Sequence, residues 1–167
     1  MKIETIIVGE LETNCYLLDI NNEVVIIDPG DDFNIIKKAI GNRKVVGLLL
    51  THFHSDHIGA LEEVISYYDL HVNKVNSKKF IFDTIETPGH TPESKTYYFK
   101  KDKIMFTGDF IFENSIGRTD LGGSDKDMIH SLNLISKYPD DIKIYPGHGN
   151  PTNLGIEKNN FKLYYKM

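Results

Sequence analysis

Tryptophan is absent and cysteine occurs once, at Cys15. A single thiol excludes an internal disulfide, and with it the disulfide-framed class of small secreted folds; the expected location is the reducing cytoplasm. Cys15 falls in the alternating run Asn14-Cys15-Tyr16-Leu17-Leu18, where it reads as a buried strand residue. Positive charge is in deficit: Lys and Arg total 19 against 24 Asp and Glu, a formal net charge of −5, and the cations are scattered. That leaves no basic footprint for nucleic acid and no polybasic patch for a membrane surface. No apolar run approaches the ~20 residues that cross a bilayer. Glu10 and Glu12 interrupt any signal-peptide core after Met1-Lys2-Ile3-Glu4-Thr5. What remains is a 167-residue chain, 40% hydrophobic and free of low-complexity tracts. It is expected to form one globular domain over residues 1–167. Oligomeric state leaves no mark in the sequence.

Residues 2–8, 13–20 and 23–28 are rich in Ile, Val, Thr and Tyr and are separated by turn residues, so they read as strands. Asp32 is placed to cap a helix over 33–41, and Val45–Leu50 forms the next strand. Ile58, Leu61, Val64, Ile65 and Tyr68 recur at helical spacing, predicting a helix over 57–68. Strands return between His71 and Thr87, with Phe80–Ile85 the clearest, and then at 95–100 and 103–106. A helix is expected over 125–138, a strand over 142–145 and a short closing helix after Asn153. Strands and helices in this order give a layered α/β arrangement. Val25-Ile26-Ile27-Asp28 and Ile104-Met105-Phe106-Thr107-Gly108-Asp109 are both strands ending on an aspartate at a glycine turn. Two similar halves packed face to face would bring those strand ends to one rim.

The chemistry concentrates in Thr51-His52-Phe53-His54-Ser55-Asp56-His57, directly after the Val45–Leu50 strand. In extended backbone, residues two apart share a side, so His52 and His54 can grip one ion. Asp56 and His57 lie where the chain begins to coil and can face a neighbouring ion. Imidazole and carboxylate are the ligands that zinc, iron and manganese accept. Three further strand-to-loop junctions each carry such a residue: His90 in Thr87-Pro88-Gly89-His90, Asp109 in Thr107-Gly108-Asp109, and His148 in Pro146-Gly147-His148-Gly149. A glycine beside each lets the backbone approach an ion. The expected assignment is His52, His54 and His90 to one ion, Asp56, His57 and His148 to the other, with Asp109 bridging. His71 and His130 lie outside these motifs and read as ordinary surface or packing residues, as Tyr145 reads as a packed strand residue.

The series His-x-His-x-Asp-His, Pro-Gly-His, strand-ending Gly-Asp and Pro-Gly-His-Gly resembles that of the metallo-β-lactamase-fold hydrolases over nearly the whole chain. Ser115-Ile116-Gly117-Arg118-Thr119-Asp120 and Pro146-Gly147-His148-Gly149-Asn150-Pro151-Thr152 are similar to the glyoxalase II (hydroxyacylglutathione hydrolase) branch. The resemblance implies a four-layer αβ/βα sandwich with metals at one edge. It implies two divalent metal ions, zinc first, with iron or manganese as alternatives. It also implies hydrolysis of a small thioester by a hydroxide held between the ions, in a site of about +1 net charge that suits an anionic transition state. Asp56 and Asp109 then serve catalysis as well as metal binding. Asp28 is expected either to orient a ligand histidine or to serve only as a turn aspartate before Pro29. Arg118 is expected either to steer an anionic substrate group or to pair with Asp120.

Three departures from the branch stand out. The chain is expected to lack the C-terminal helical domain by which the branch helps hold glutathione, the segment between His57 and His90 is shorter than the branch usually has, and Glu93 and Glu113 are expected to add negative charge near the mouth. They count against glutathione conjugates and leave the hydrolytic residues untouched. Rival readings are a mononuclear iron persulfide dioxygenase, which would leave Asp56, His57 and His148 idle, and a lactonase or ester hydrolase. A metallo-β-lactamase is disfavoured by the lack of a second-site cysteine. A non-enzymatic metal-binding module is disfavoured by the completeness of the ligand set.

Overall fold

In the computed structural model, which describes residues 1–164, the first three β-branched and aromatic runs pair as an antiparallel meander. They are β1 (Lys2–Val8), β2 (Thr13–Ile20) and β3 (Glu23–Ile27). Helix α1 (Phe33–Ile40) crosses over to β4 (Lys44–Leu49), which lies parallel to β3. Helices α2 (Ser55–Ile58) and α3 (Leu61–Tyr68) precede the short β5 (Lys74–Val75), giving a sheet ordered β1-β2-β3-β4-β5. Cys15, Leu17, Val24, Ile26 and Leu48 alternate inward and bury against Ile36 and Ile40 of α1 and Val64 of α3. Each such aliphatic side chain contributes roughly 1.5–3 kcal/mol by leaving water. These elements form one compact unit, residues 1–81.

The second unit begins at Phe82. Its strands are β6 (Asp83–Glu86), β7 (Lys95–Phe99), β8 (Ile104–Gly108), the hairpin β9 (Ile111–Phe112) and β10 (Ser115–Ile116), β11 (Lys143–Pro146) and β12 (Thr152–Asn153); its helices are α4 (Asp125–Ile135) and α5 (Leu154–Tyr164). The main sheet is ordered β12-β11-β8-β7-β6, with β11 parallel to β8 and every other neighbour antiparallel. Met105 and Ile144 pack with Met128, Leu132 and Ile135 of α4 and Phe161 of α5. Ser124 caps α4, its side chain accepting from the Asp127 N–H.

The two units repeat one plan: a three-stranded meander, a helical crossover, a fourth strand parallel to the third, and a short antiparallel edge strand. The echo between residues 25–28 and 104–109 is the third strand of each unit. In a parallel pair both chains leave the sheet at the same edge, which is where α/β sheets place their chemistry. The loops that follow β3 and β4 carry Asp28 and His52; those that follow β8 and β11 carry Asp109 and His148.

Four expectations are corrected. The helix over 57–68 is broken in two, because the Ala60 N–H donates to Pro29 O (3.0 Å) instead of continuing the helical ladder. Asp32 does not cap α1 with its side chain: its backbone is left-handed (φ 53°), and Oδ2 accepts from the Gly9 N–H at 2.9 Å. Residues 80–82 are not in a strand, which begins only at Asp83. Their apolar character has another source, since Phe80 is buried and the Phe82 ring lies 5.2 Å from that of Phe99. The helix expected over 125–138 stops at Ile135.

Arg43 fastens the first unit. Its Nη1 donates to Glu4 Oε1 (2.8 Å) and Asp19 Oδ2 (2.9 Å), and its Nε and Nη2 donate to the carbonyls of Ile40 (2.9 Å) and Ala39 (2.6 Å). Partial burial pushes the Asp19 carboxyl up, but the hydrogen bonds from Arg43 and the Asn22 N–H outweigh it and hold it below its ordinary value. Glu4 is likewise lowered, by Lys2 first and then, against desolvation, by Arg43. A carboxyl whose pKa falls on folding adds stability above its unfolded value, near pH 4, and loses it as pH drops further. Arg43→Ala is therefore expected to cost about 1–3 kcal/mol at pH 7 in urea unfolding, and less at pH 3. An equal cost at both pH values would contradict the pairing.

Candidate metal centre

In the first unit the loop after β4 folds His52, His54 and His57 onto one another, with ring centroids 4.8 Å apart for His52 and His54 and 4.2 Å for His52 and His57. His52 and His57 are buried, and His54 and Asp56 half-buried. Asp28, 1% exposed and left-handed at φ 50°, is the organising acceptor. The Thr51 N–H donates to Oδ1 (2.8 Å); the Thr51 hydroxyl (2.6 Å) and His57 Nδ1 (3.0 Å) both donate to Oδ2.

These bonds settle which imidazole nitrogen carries the proton. A carboxylate only accepts, so His57 carries its proton on Nδ1. The Thr51 hydroxyl gives its proton to Asp28, so at 3.1 Å it can only accept from His52 Nδ1. In the neutral form of both rings Nε2 is then the electron-pair donor. Asp56 Oδ2 lies 3.5 Å from His57 Nε2 and accepts from the Thr13 hydroxyl at 3.1 Å.

The second unit repeats this arrangement with a main-chain acceptor. His90 Nδ1 donates to the Arg118 carbonyl at 2.7 Å, which again makes Nε2 the electron-pair donor. Asp109 Oδ2 lies 3.5 Å from His90 Nε2 and 3.6 Å from His148 Nε2. Asp109 is therefore central to this unit's own set. Gly89, beside His90, serves an approach other than the one expected: at φ 151°, a Cβ there would lie 2.6 Å from Met128 Cα, so the glycine seats the loop against α4.

The donor set fits divalent metal. A carboxylate oxygen and an imidazole Nε2 held this close can donate electron pairs to one cation between them. Ligand atoms about 2.0–2.2 Å from one tetrahedral ion fall roughly 3.3–3.6 Å from each other. The carboxylate–imidazole distances in both units lie in or next to that range. Fixing the far ring nitrogen on a carboxylate, hydroxyl or carbonyl is how proteins hold metal-ligating histidines.

Arg118 enters this arrangement through its carbonyl. Its guanidinium forms a fork on Asp120, with Nε to Oδ1 and Nη2 to Oδ2 both 2.6 Å, and holds that exposed carboxyl at about 2. Of the two side-chain roles expected from sequence, the structure displays the brace. Gly117 matters more, because a Cβ there would fall 1.7 Å from the Asp109 carbonyl and 3.2 Å from His90 Nδ1. Arg118→Ala is expected to keep activity within about threefold, as exposed pairs contribute little. Gly117→Ala is expected to lose at least about tenfold through displacement of Asp109 and His90. The opposite ranking in kcat/KM would contradict this assignment.

Sequence reasoning passed over Thr51, Thr13 and the Arg118 carbonyl. Thr51 carried a usable signal, as it precedes the first ligand histidine. His71 and His130 are exposed, Cys15 is buried, and burial pushes its thiol well up. No described helix is long and apolar enough to cross a membrane.

Comparison with known proteins agrees with this geometry. The model of the Metallo-beta-lactamase superfamily matches residues 8–82 and 75–148. The Probable metallo-hydrolase YqgX of Bacillus subtilis (strain 168) is 30% identical over 200 aligned positions, covering 95% of this chain and 95% of its own. Hydroxyacylglutathione hydrolase GloC of Haemophilus influenzae (strain ATCC 51907 / DSM 11121 / KW20 / Rd) is 31% identical over 204 positions, again 95% of each. Both alignments are longer than the 167-residue chain, so these relatives carry segments with no counterpart here. The crystal structure of the BLEG-1 B3 metallo-beta-lactamase is similar with a TM-score of 0.88 at 30% identity, covering 95% of this chain and 97% of that one. The chain belongs to the metallo-beta-lactamase superfamily and has its α/β fold, and the ligand chemistry of its two strand-end clusters is that of a metal-dependent hydrolase.

Proposed function

We propose that residues 1–167 act as one hydrolase domain in which His52, His54 and His90 hold one divalent ion and Asp56, His57 and His148 a second. Asp109 is shared between them, and the substrate is a small thioester. The observation that carries this reading is the common locking of His52, His57 and His90, each with Nδ1 fixed so that Nε2 donates the electron pair. When bound, such ions supply acidified water near neutral pH and positive charge for a developing oxyanion. Zinc is the first choice, and iron or manganese suits the same donors.

The chain's own residues then do the rest. Asp28 and Thr51 hold two imidazoles by Nδ1 with Nε2 left for a metal, the Arg118 carbonyl does so for a third, and Asp109 adds a negative charge close to His90 and His148. A thiol leaves as thiolate with an ordinary pKa near 8.5, so no side-chain acid has to protonate it. That favours a thioester over an amide, and the relative named hydroxyacylglutathione hydrolase supports the same bond. The relative named as a B3 metallo-beta-lactamase supports a second reading, opening of a strained cyclic amide.

The test loads the protein separately with zinc, manganese or iron. Each form is assayed on S-lactoylglutathione, simple acyl thioesters, a lactone, a β-lactam and a persulfide, with oxygen uptake followed in parallel. Thioester cleavage without oxygen uptake is expected. Oxygen-consuming turnover of the persulfide alone, or turnover of the β-lactam alone, would replace the proposal.

A further inference from the structure

The second unit has a groove beside His148 to which the reading above gives no role. The hairpin β9–β10 and the loop after β11 enclose about 420 Å³ lined by Phe112, Glu113, His148, Gly149 and Asn150. His148 joins it to the ligand set, its Nε2 3.6 Å from Asp109. Asn150 Nδ2 donates to Glu113 Oε2 at 3.2 Å and ties one wall to the other. Behind both walls sits Glu157 of α5, 1% exposed. Its Oε2 accepts from the Asn114 N–H (3.1 Å) and Asn160 Nδ2 (3.0 Å), and its Oε1 from the Thr152 hydroxyl (2.6 Å). The hairpin turn and β12 thus hang on one buried carboxylate, so the groove is shaped before anything enters it. Neither Lys nor Arg is among its lining residues, and Glu113 is its one acidic side chain, set beside the ligand residue His148.

We propose that this groove receives the thiol half of the substrate and that Glu113 selects thiols carrying a positive charge over anionic ones. The inference rests on the thioester reading and supplies its substrate class. Opposite unit charges about 4 Å apart in a water-like medium attract enough for roughly a fivefold preference, and like charges lose as much. The effect is expected mainly in KM, because the charge lies away from the scissile bond, and added salt screens it.

The probes are three acetyl thioesters differing only in the thiol: acetylthiocholine, S-acetyl-N-acetylcysteamine and S-acetyl-3-mercaptopropionate. At low salt the metal-loaded wild type is expected to prefer the cationic ester about fivefold over the neutral one, and the neutral about fivefold over the anionic. Glu113→Gln should draw the three together, Glu113→Lys should reverse the order, and about 0.5 M salt should compress it. The same ranking in all three proteins would overturn the proposal. Failure of every protein to cleave any thioester would instead remove the thioester reading. The groove is then read without turnover, by equilibrium binding of the matching thioethers. A cationic preference that Glu113→Lys reverses supports it, and equal binding of all three overturns it.

Discussion

Asp109→Ala is expected to lower kcat/KM by at least about 100-fold and to weaken the hold on both metal ions. The carboxylate stands at the end of β8 with one oxygen 3.5 Å from His90 Nε2 and 3.6 Å from His148 Nε2. Truncation leaves those imidazoles without the negative charge that makes the set attractive to a cation. Asp109→Asn separates charge from shape: it keeps the size and one oxygen, and is expected to retain fold and melting temperature while losing most of the same activity. Metal content after gel filtration, read beside kcat/KM, checks both variants. Wild-type turnover and metal content in Asp109→Ala would remove the shared position from the account.

Asp28→Asn is expected to cost 10- to 100-fold in metal affinity and activity although Asp28 itself holds no metal in this scheme. Its two oxygens accept three hydrogen bonds, from the Thr51 N–H, the Thr51 hydroxyl and His57 Nδ1. An amide offers one oxygen: with its nitrogen at the Oδ1 position it opposes the Thr51 N–H, and with its nitrogen at the Oδ2 position it disturbs two bonds and the proton on His57 is no longer fixed to Nδ1. Asp28→Ala goes further and leaves buried donors unpaired, at about 1–3 kcal/mol each. The two variants should therefore separate: the asparagine form folds and binds metal poorly, and the alanine form also melts lower. Direct metal titration with a competing chelator measures the first effect and thermal unfolding the second. Unchanged metal affinity in Asp28→Asn would show that the histidines keep their orientation without it.

The seven residues proposed as ligands stand out in the sequence because each is a metal-binding residue type placed where an apolar strand runs out. The internal repeat was legible for a related reason: two strands ending on aspartate at a glycine turn mark the third strand of each unit. Main-chain roles were not. The carbonyl that fixes His90 belongs to Arg118 only by position, and any residue other than one that distorted the loop would provide it. The break at Ala60 was hidden because apolar spacing continues across it, while the deciding event, an N–H turned toward Pro29, involves a distant segment. At residues 80–82 a run of apolar residues looked like strand because buried loops and strands share that composition. Asp32 looked like a cap because its type suits one, yet its carboxylate is taken by Gly9.

The measurement that reaches the centre of the account is a crystal structure of the metal-loaded protein with anomalous scattering recorded at the metal edge. Two peaks are expected, one ligated by His52, His54 and His90, the other by Asp56, His57 and His148, with Asp109 on both. A single peak with Asp56, His57 and His148 turned away from it would contradict the account.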